Sequence, residues 1–272
     1  MSGISKKKKN DELEHHGIKG QRWGVRRYQN KDGSLTSAGK KEYYEESNTS
    51  IIINKDGSKS IPKGFKFNRI GQEKLDVNAS GSLYVSYGKD DAARYIKNLG
   101  PTKLNKLLGV SSNTVQHISV KDTLKMPSDN EVVKETANLL LSNKKLLNSL
   151  NDSIYSMVVS DRGVSSKELR DSLSNPNNER SVKIAYSVSS FLGDPKYASE
   201  SKILYEHFRN KGYDALPDLH DRLSGTSKTA MIIINPNKVE ITSKTTITKD
   251  VLEAGKQHVK SIEKLKINDL IK

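Results

Sequence analysis

Residues 128–150, SDNEVVKETANLLLSNKKLLNSL, contain the clearest folding signal in this chain. Ser128 and Glu131 have the spacing of a capping box, in which the serine hydroxyl accepts a hydrogen bond from the amide three residues on and the glutamate reaches back. Apolar side chains then recur at helical spacing as far as Leu150. The stretch therefore predicts a helix that begins after Ser128 and packs one face against the rest of the protein.

Segments with strand character lie on both sides of this helix. Strands are predicted at Ile51–Ile53, Gly64–Ile70, Ser82–Tyr87, Thr114–Val120, Ala230–Ile234 and Val239–Thr242. Further helices are predicted at Asp90–Leu99, 166–174, 179–192, 197–211 and 249–265. The order is strands, a helical block at about 127–211, and strands again. It predicts a mixed α+β fold rather than regular βαβ alternation.

The first 48 residues differ in composition from the remainder. They contain four consecutive lysines at 6–9 and glycines at 17, 20, 24, 33 and 39, with no sustained helical or strand period. Such a segment buries too little apolar surface to offset its chain entropy unless a partner covers it. The sequence therefore predicts a basic, mobile docking tail at 1–48 and an α+β domain at 49–272.

The overall composition limits the classes of function. With 46 Lys+Arg against 32 Asp+Glu, the 272-residue chain carries a net charge of +14, which favours acidic partners. The charge is dispersed and accompanies no known nucleic-acid-binding motif, so any binding to nucleic acid is expected to be non-specific. The absence of cysteine excludes disulfides, thiolate zinc sites and cysteine nucleophiles. No apolar run is long enough for a membrane span or a secretory signal, which predicts synthesis in a cytoplasm.

Common catalytic signatures are absent from the sequence. It has no P-loop, no dinucleotide-binding glycine motif, no nucleophile elbow and no zincin motif. His15 and His16 are adjacent, so their side chains diverge, and no metal site is expected. His117 and His207 are expected to be structural. The polar segment Asp214–Arg222 reads either as a functional loop around His220 or as a solvated acidic loop paired internally with Arg222.

The tail contains the chain's single tryptophan, within HHGIKGQRWGVRRYQN at 15–30. An exposed aromatic side chain flanked by arginines is typical of a docking peptide, with the ring as anchor and the arginines as a charged rim. The alternative is that the tryptophan only attaches the tail to its own domain. The candidate partner-binding residues are His16, Gly17, Trp23, Arg26, Arg27 and Tyr28.

Residues 15–44, HHGIKGQRWGVRRYQNKDGSLTSAGKKEYY, resemble the N-terminal motif of a family encoded by tailed phages and prophages of Gram-positive bacteria. The motif introduces gene products that are otherwise unrelated, so it implies a phage context rather than an activity. It implies that the tail binds a phage structural protein. It also implies synthesis in the host cytoplasm and a place in the virion as one destination.

The remainder of the chain resembles the ADP-ribosyltransferase fold. The matching segments are GFKFNRI at 64–70, LYVSY at 83–87 followed by Asp90, Asp91 and Tyr95, GYDA at 212–215 and MIIINP at 231–236. The resemblance implies a mainly antiparallel sheet with the helical block as an insertion. It further implies that Arg69 holds the phosphates of NAD and that Ser86 is the strand serine that organises the pocket.

The glutamate of that fold has no counterpart here. Lys228, Thr229 and Ala230 precede the closing strand, and only Asp218 and Asp221 could replace the missing acid. Without a carboxylate the transition state loses its main electrostatic stabiliser. The sequence therefore favours a non-enzymatic phage protein, virion-associated or cargo, with a degenerate domain and no cofactor. Two alternatives stay open: an NAD-dependent ADP-ribosyltransferase acting on a host protein, and a nucleic-acid-binding or host-defence-inhibiting protein.

Overall fold

A computed structural model of the protein describes residues 47–71, 77–78, 80–107, 109, 111–149, 171, 174, 197–223 and 226–270. Nearly all of the predicted tail and of the predicted helices at 166–174 and 179–192 therefore lies outside the described residues. Most of the rest of the predicted α+β domain is described.

The described chain contains nine strands and seven helices, which do not alternate regularly. The strands are β1 (Ile52–Ile53), β2 (Lys59–Ile61), β3 (Lys66–Gly71), β4 (Leu83–Val85), β5 (Thr114–Val120), β6 (Leu124–Met126), β7 (Ala215–Pro217), β8 (Met231–Ile233) and β9 (Val239–Thr246). The helices are α1 (Lys89–Leu99), α2 (Lys103–Leu107), α3 (Asp129–Ser142), α4 (144–149), α5 (Ala198–Asn210), α6 (Leu219–Leu223) and α7 (Lys249–Leu270). The predicted mixed α+β class is confirmed.

The strands form three small antiparallel sheets, in the orders β1-β2-β6, β3-β5-β9 and β4-β8-β7. Two contacts join these sheets at their edges. A bridge between Asn68 and Ser86 links β3 to β4. The amide of Asp214, just before β7, donates to the carbonyl of Lys125 in β6 at 2.8 Å. As a result β3 and β4 lie side by side, although they belong to different sheets.

Apolar side chains pack in three clusters around these sheets. One cluster lies among the strands and includes Phe67, a second joins α3 and α5 to β8, and a third packs α1 and α7 against β5. Ile232 and Ile233 of β8 belong to different clusters because successive side chains of a strand point to opposite faces. Burying each such side chain stabilises the fold by about 1.5–3 kcal/mol, which explains why β8 is apolar at every position.

The predicted helix after Ser128 forms, but it is shorter than its apolar pattern. Ser128 Oγ accepts from the amide of Glu131 at 3.2 Å, as the capping box predicts. The chain leaves the helical conformation at Asn143, whose Oδ1 accepts from the amide of Leu146 at 2.9 Å. A single helix to Leu150 was therefore wrong. The asparagine side chain caps a second helix, α4, at the position where the first one ends.

The segment Asp214–Arg222 is not a loop. It forms β7 and α6, and Asp214 and Asp218 within it are buried. Asp214 accepts from Lys238 Nζ at 2.9 Å, and Arg222 pairs with Asp129 of α3 at 2.8 Å. The interpretation as a solvated acidic loop paired internally with Arg222 is thus wrong, because Asp214 and Arg222 pair with residues outside the segment.

Within the described ranges, no helix combines the length and the apolar character that crossing a membrane requires.

Candidate functional site

A cleft of about 270 Å³ lies between the β3–β4 edge, α1 and the start of α6. Four residues that the sequence singled out line this one cleft, although they come from distant parts of the chain. They are Arg69 of β3, Ser86 after β4, and Asp218 and Asp221 at α6. The same cleft also exposes Asn68 and the tyrosines Tyr84 and Tyr95.

The pairing of β3 with β4 brings Arg69 and Ser86 to the same cleft, because Asn68, the residue before Arg69, pairs with Ser86. Asn68 and Ser86 exchange both main-chain hydrogen bonds, at 2.7 and 3.0 Å. Both residues are buried, and Asn68 is fixed further because its Oδ1 lies 2.9 Å from His117 Nδ1 of β5. The floor of the cleft is therefore rigid main chain rather than a surface loop.

Arg69 brings positive charge to the cleft. Its Nη1 donates to Oε1 of Gln116 at 3.0 Å, and Gln116 is the residue opposite Arg69 in the β3–β5 pairing. Gln116 is fully buried, so this hydrogen bond holds the tip of the arginine side chain against the sheet. A guanidinium group presents planar donors that match the oxygens of a phosphate or a carboxylate.

Two aspartates bring negative charge to the same cleft. Asp218 is buried, and its Oδ1 accepts from the amide of Asp221 at 3.1 Å, at the start of α6. Burial and the neighbouring Asp221 carboxylate raise the pKa of Asp218 to about 6. A buried acid that titrates close to neutral pH beside a second acid is typical of functional sites.

The two tyrosines keep their protons at neutral pH, because the pKa of each is raised. Burial, with the added effect of the hydrogen bond to Asp221, raises the pKa of Tyr95 well above its usual value. Burial and the neighbouring Tyr205 have the same effect on the pKa of Tyr84. The hydroxyl of Tyr95 donates to Oδ2 of Asp221, and this bond orients the second carboxylate of the cleft.

The loop before β8 carries no acid, as the sequence indicates, but a carboxylate from α1 occupies it. Oδ2 of Asp91 accepts from the amide and hydroxyl of Thr229 at 2.9 and 2.6 Å, from Ser227 Oγ at 2.6 Å and from the amide of Lys228 at 3.1 Å. Asp91 is buried and these donors hold it, so its role is to fix the loop. The acids of the cleft are Asp218 and Asp221.

Three contributors to the cleft were not assigned a role from the sequence: Tyr95, Gln116 and Gly71. The spacing of Asp91 and Tyr95 offers a signal for the first, because residues four apart lie on one helix face. Gln116 meets Arg69 only because β3 pairs with β5, whereas Gly71 lies on the same side of β3 as Arg69 because it is two residues further along the strand.

Two histidines that were expected to be structural, His117 and His207, make contacts between elements. His117 Nε2 lies 3.3 Å from Thr245 Oγ1, which joins β5 to β9, and His207 Nε2 lies 2.9 Å from Glu135 Oε2, which joins α5 to α3. Among the residues that the structure describes, no group of three or more histidine, aspartate or glutamate side chains is placed to hold a metal ion.

The predicted partner-binding residues of the tail, from His16 to Tyr28, lie outside the described residues. A family model does match this part of the chain: the model of DUF7211, a family of unknown function, covers residues 6–30. No curated protein and no solved structure matches the chain. The family match and the tryptophan motif coincide in sequence.

Proposed function

We propose that the α+β domain is an ADP-ribosyltransferase-like domain that binds NAD in the cleft and transfers ADP-ribose to a host protein. One observation carries the proposal: Arg69 and Ser86 share a cleft with the only two acids that could replace the missing glutamate. The mixed α+β class and the antiparallel pairing of the strands agree with such a domain.

The cleft fits part of a dinucleotide. Its volume of about 270 Å³ is close to the lower end of small-molecule sites, which begin at about 300 Å³. It suits a ribose with the adjoining ring and phosphate, while the rest of the molecule extends beyond the cleft. Arg69 would hold the phosphate, and Ile70, Val85 and Leu99 offer apolar surface to the ring.

The chemistry of the transfer defines what the acids must do. The bond between ribose C1′ and the nicotinamide nitrogen breaks, and nicotinamide leaves with the bonding electrons. C1′ then bonds to a nucleophilic atom of the acceptor, which releases its proton to solvent. Positive charge develops on the ribose during this exchange, and a preorganised carboxylate stabilises it. With a pKa of about 6, Asp218 is ionised over protonated by about ten to one at pH 7.

The test is transfer of label from NAD. Purified protein is incubated with labelled NAD and a bacterial lysate, beside Arg69→Ala and Asp218→Asn. We expect label transfer by the wild type and a loss of at least about 100-fold in each variant, the usual effect of removing one electrostatic stabiliser. Arg222→Ala is the matched control, because Arg222 pairs with Asp129 and is not a lining residue of the cleft.

Undiminished transfer by Arg69→Ala would contradict the assignment of the cleft. Binding of NAD by the wild type without any transfer would instead indicate a degenerate domain that keeps the ligand and lacks the chemistry.

The tail favours a second function, docking onto a phage structural protein, which would make the protein virion-associated or cargo. The supporting observation is the tryptophan motif itself, in which the single tryptophan, Trp23, is flanked by arginines. Trp23 would fill an apolar pocket of the partner, while Arg26 and Arg27 contact an acidic rim.

Docking is tested with the full chain against purified phage structural proteins. We expect Trp23→Ala to abolish binding and Tyr43→Ala, an aromatic truncation outside the tryptophan stretch at 15–30, to leave it unchanged. Equal binding by a chain that begins at residue 49 would refute the docking role.

A further inference from the structure

We propose that Gly71 and Gln116 are positioning residues that hold the Arg69 guanidinium in the cleft, oriented in advance for an anionic group. The proposal deepens the proposed function and rests on it, since it takes Arg69 as the residue that meets the phosphate of the ligand.

Gly71 provides the space that Arg69 occupies. Residues two apart on a strand point to the same face, so Arg69 and Gly71 share one side of β3. A Cβ atom on Gly71 would lie 2.9 Å from Arg69 Nη1, closer than a side-chain carbon approaches such an atom. The guanidinium therefore lies over the bare main chain of Gly71.

The backbone itself does not require a glycine at this position. Gly64, at the turn before β3, has a φ of 82°, a conformation that favours glycine, whereas Gly71 is not among the glycines with positive φ. The reason for a glycine at 71 is thus the close approach of the arginine.

Gln116 holds the same guanidinium nitrogen, Nη1, by a hydrogen bond. It is fully buried in β5, pairs with Arg69 across the sheet, and accepts from Nη1 at 3.0 Å. An amide oxygen orients the guanidinium without neutralising it, whereas a carboxylate in the same place would compete with the ligand. The contact with Gln116 therefore fixes the guanidinium but does not cancel its charge.

This arrangement reduces the cost of binding. A free arginine side chain loses much rotamer freedom when it grips an anion, which weakens binding. Here the side chain loses that freedom when the protein folds, so each hydrogen bond to the ligand contributes more to affinity.

The experiment measures ADP-ribose affinity by calorimetry together with the melting temperature. For Gly71→Ala we expect affinity about tenfold weaker, the effect of losing one charge-assisted hydrogen bond, with little change in melting temperature. Gln116→Met, which keeps the size and loses the acceptor, should weaken affinity similarly. Gly64→Ala is the crossed control: its Cβ meets no atom within 4 Å but its φ is strained. It should lower the melting temperature and leave affinity unchanged.

Crystal structures of the free wild type and Gly71→Ala separate the two proposals. We expect the variant's guanidinium to have moved away from Gln116. An intact Arg69–Gln116 hydrogen bond beside the new methyl group, or full affinity in Gly71→Ala, would overturn the positioning role. Failure of the wild type to bind ADP-ribose would instead refute the proposed function, and the structures would still decide the positioning role.

Discussion

At the residue scale, Asp218 combines two properties that oppose each other. Burial and the Asp221 carboxylate raise its pKa to about 6, so keeping it ionised at neutral pH costs stability. The ionised carboxylate of Asp218 also lines the cleft, where it could stabilise positive charge on a ligand. A buried carboxylate that lowers stability when ionised, and that lines a cleft, is typical of a functional acid.

Asp218→Asn should therefore stabilise the protein at pH 7. The folded-state pKa lies above the unfolded value of 3.8, so the folded state binds more protons between about pH 4 and 6. Wild-type stability thus falls as pH rises through that window, and the asparagine variant escapes the loss. We expect a gain on the order of 1–3 kcal/mol at pH 7 and none near pH 4, measured by urea unfolding. The exposed Asp122→Asn is the control. An equal effect at both pH values would contradict the explanation.

The pH dependence of transfer is a separate prediction. Protonation of Asp218 removes the carboxylate, so kcat/KM should fall below pH 6, to about one tenth of its neutral value at pH 5. The measurement is the rate of nicotinamide release from pH 5 to 8. A profile that stays flat from pH 7 to 5 would exclude Asp218 as the stabilising acid.

At the element scale, Asp91 links helix α1 to the loop that precedes β8. One carboxylate oxygen accepts four hydrogen bonds from three consecutive residues of that loop, from Ser227 to Thr229. The amide of Gly88, just before α1, in turn donates to Thr229 Oγ1 at 2.8 Å. The start of the helix and the loop therefore stabilise each other. Tyr95 of the helix and Ala230 after the loop both line the cleft.

Asp91→Asn should destabilise the protein by about 2–4 kcal/mol. In the wild type a charged carboxylate oxygen accepts four hydrogen bonds in a buried site, and a neutral amide group would match those donors less well. The measurement is the free energy of unfolding in urea. The neighbouring Asp90→Asn is the matched control, since that carboxylate is largely exposed and contacts only His258 among the bonds described for it. Equal losses from the two variants would contradict the special role of Asp91.

At the scale of the whole molecule, the described residues contain the cleft, and the family match at 6–30 precedes them in the sequence. The described core clusters are built from residues between Ile51 and Val259, in contact with one another. This packing agrees with a domain that folds from residue 49 onward. Joining a docking peptide to a ligand-binding domain would place the cleft wherever the tail's partner is found.

A chain that begins at residue 49 should therefore unfold at the same urea midpoint as the full chain and bind ADP-ribose equally well. We expect this because the described core clusters are built from residues between Ile51 and Val259. The full chain with Trp23→Ala serves as the comparison. A lower midpoint for both the shortened chain and Trp23→Ala would show that the tryptophan packs on its own domain.

Much of the fold could be predicted from local patterns, and the exceptions have physical reasons. Thr114–Val120 and the cap at Ser128 follow from side-chain alternation and from a capping pair, which act over a few residues. β6 and β7 were missed because each is three residues long, too short for a period to emerge. The break at Asn143 was missed because the apolar spacing continues through it.

The sequence by itself determined the α+β class and the apolar strands, because these depend on residue type and spacing. The candidates Arg69, Ser86, Asp218 and Asp221 came from the resemblance to the ADP-ribosyltransferase fold. Only the tertiary structure decided that the four line one cleft, that Asp91 fixes a loop, and that Gly71 and Gln116 hold Arg69. Those relations depend on which strands pair and in which register. Strand pairing joins residues that are far apart in the chain, and no local pattern encodes it.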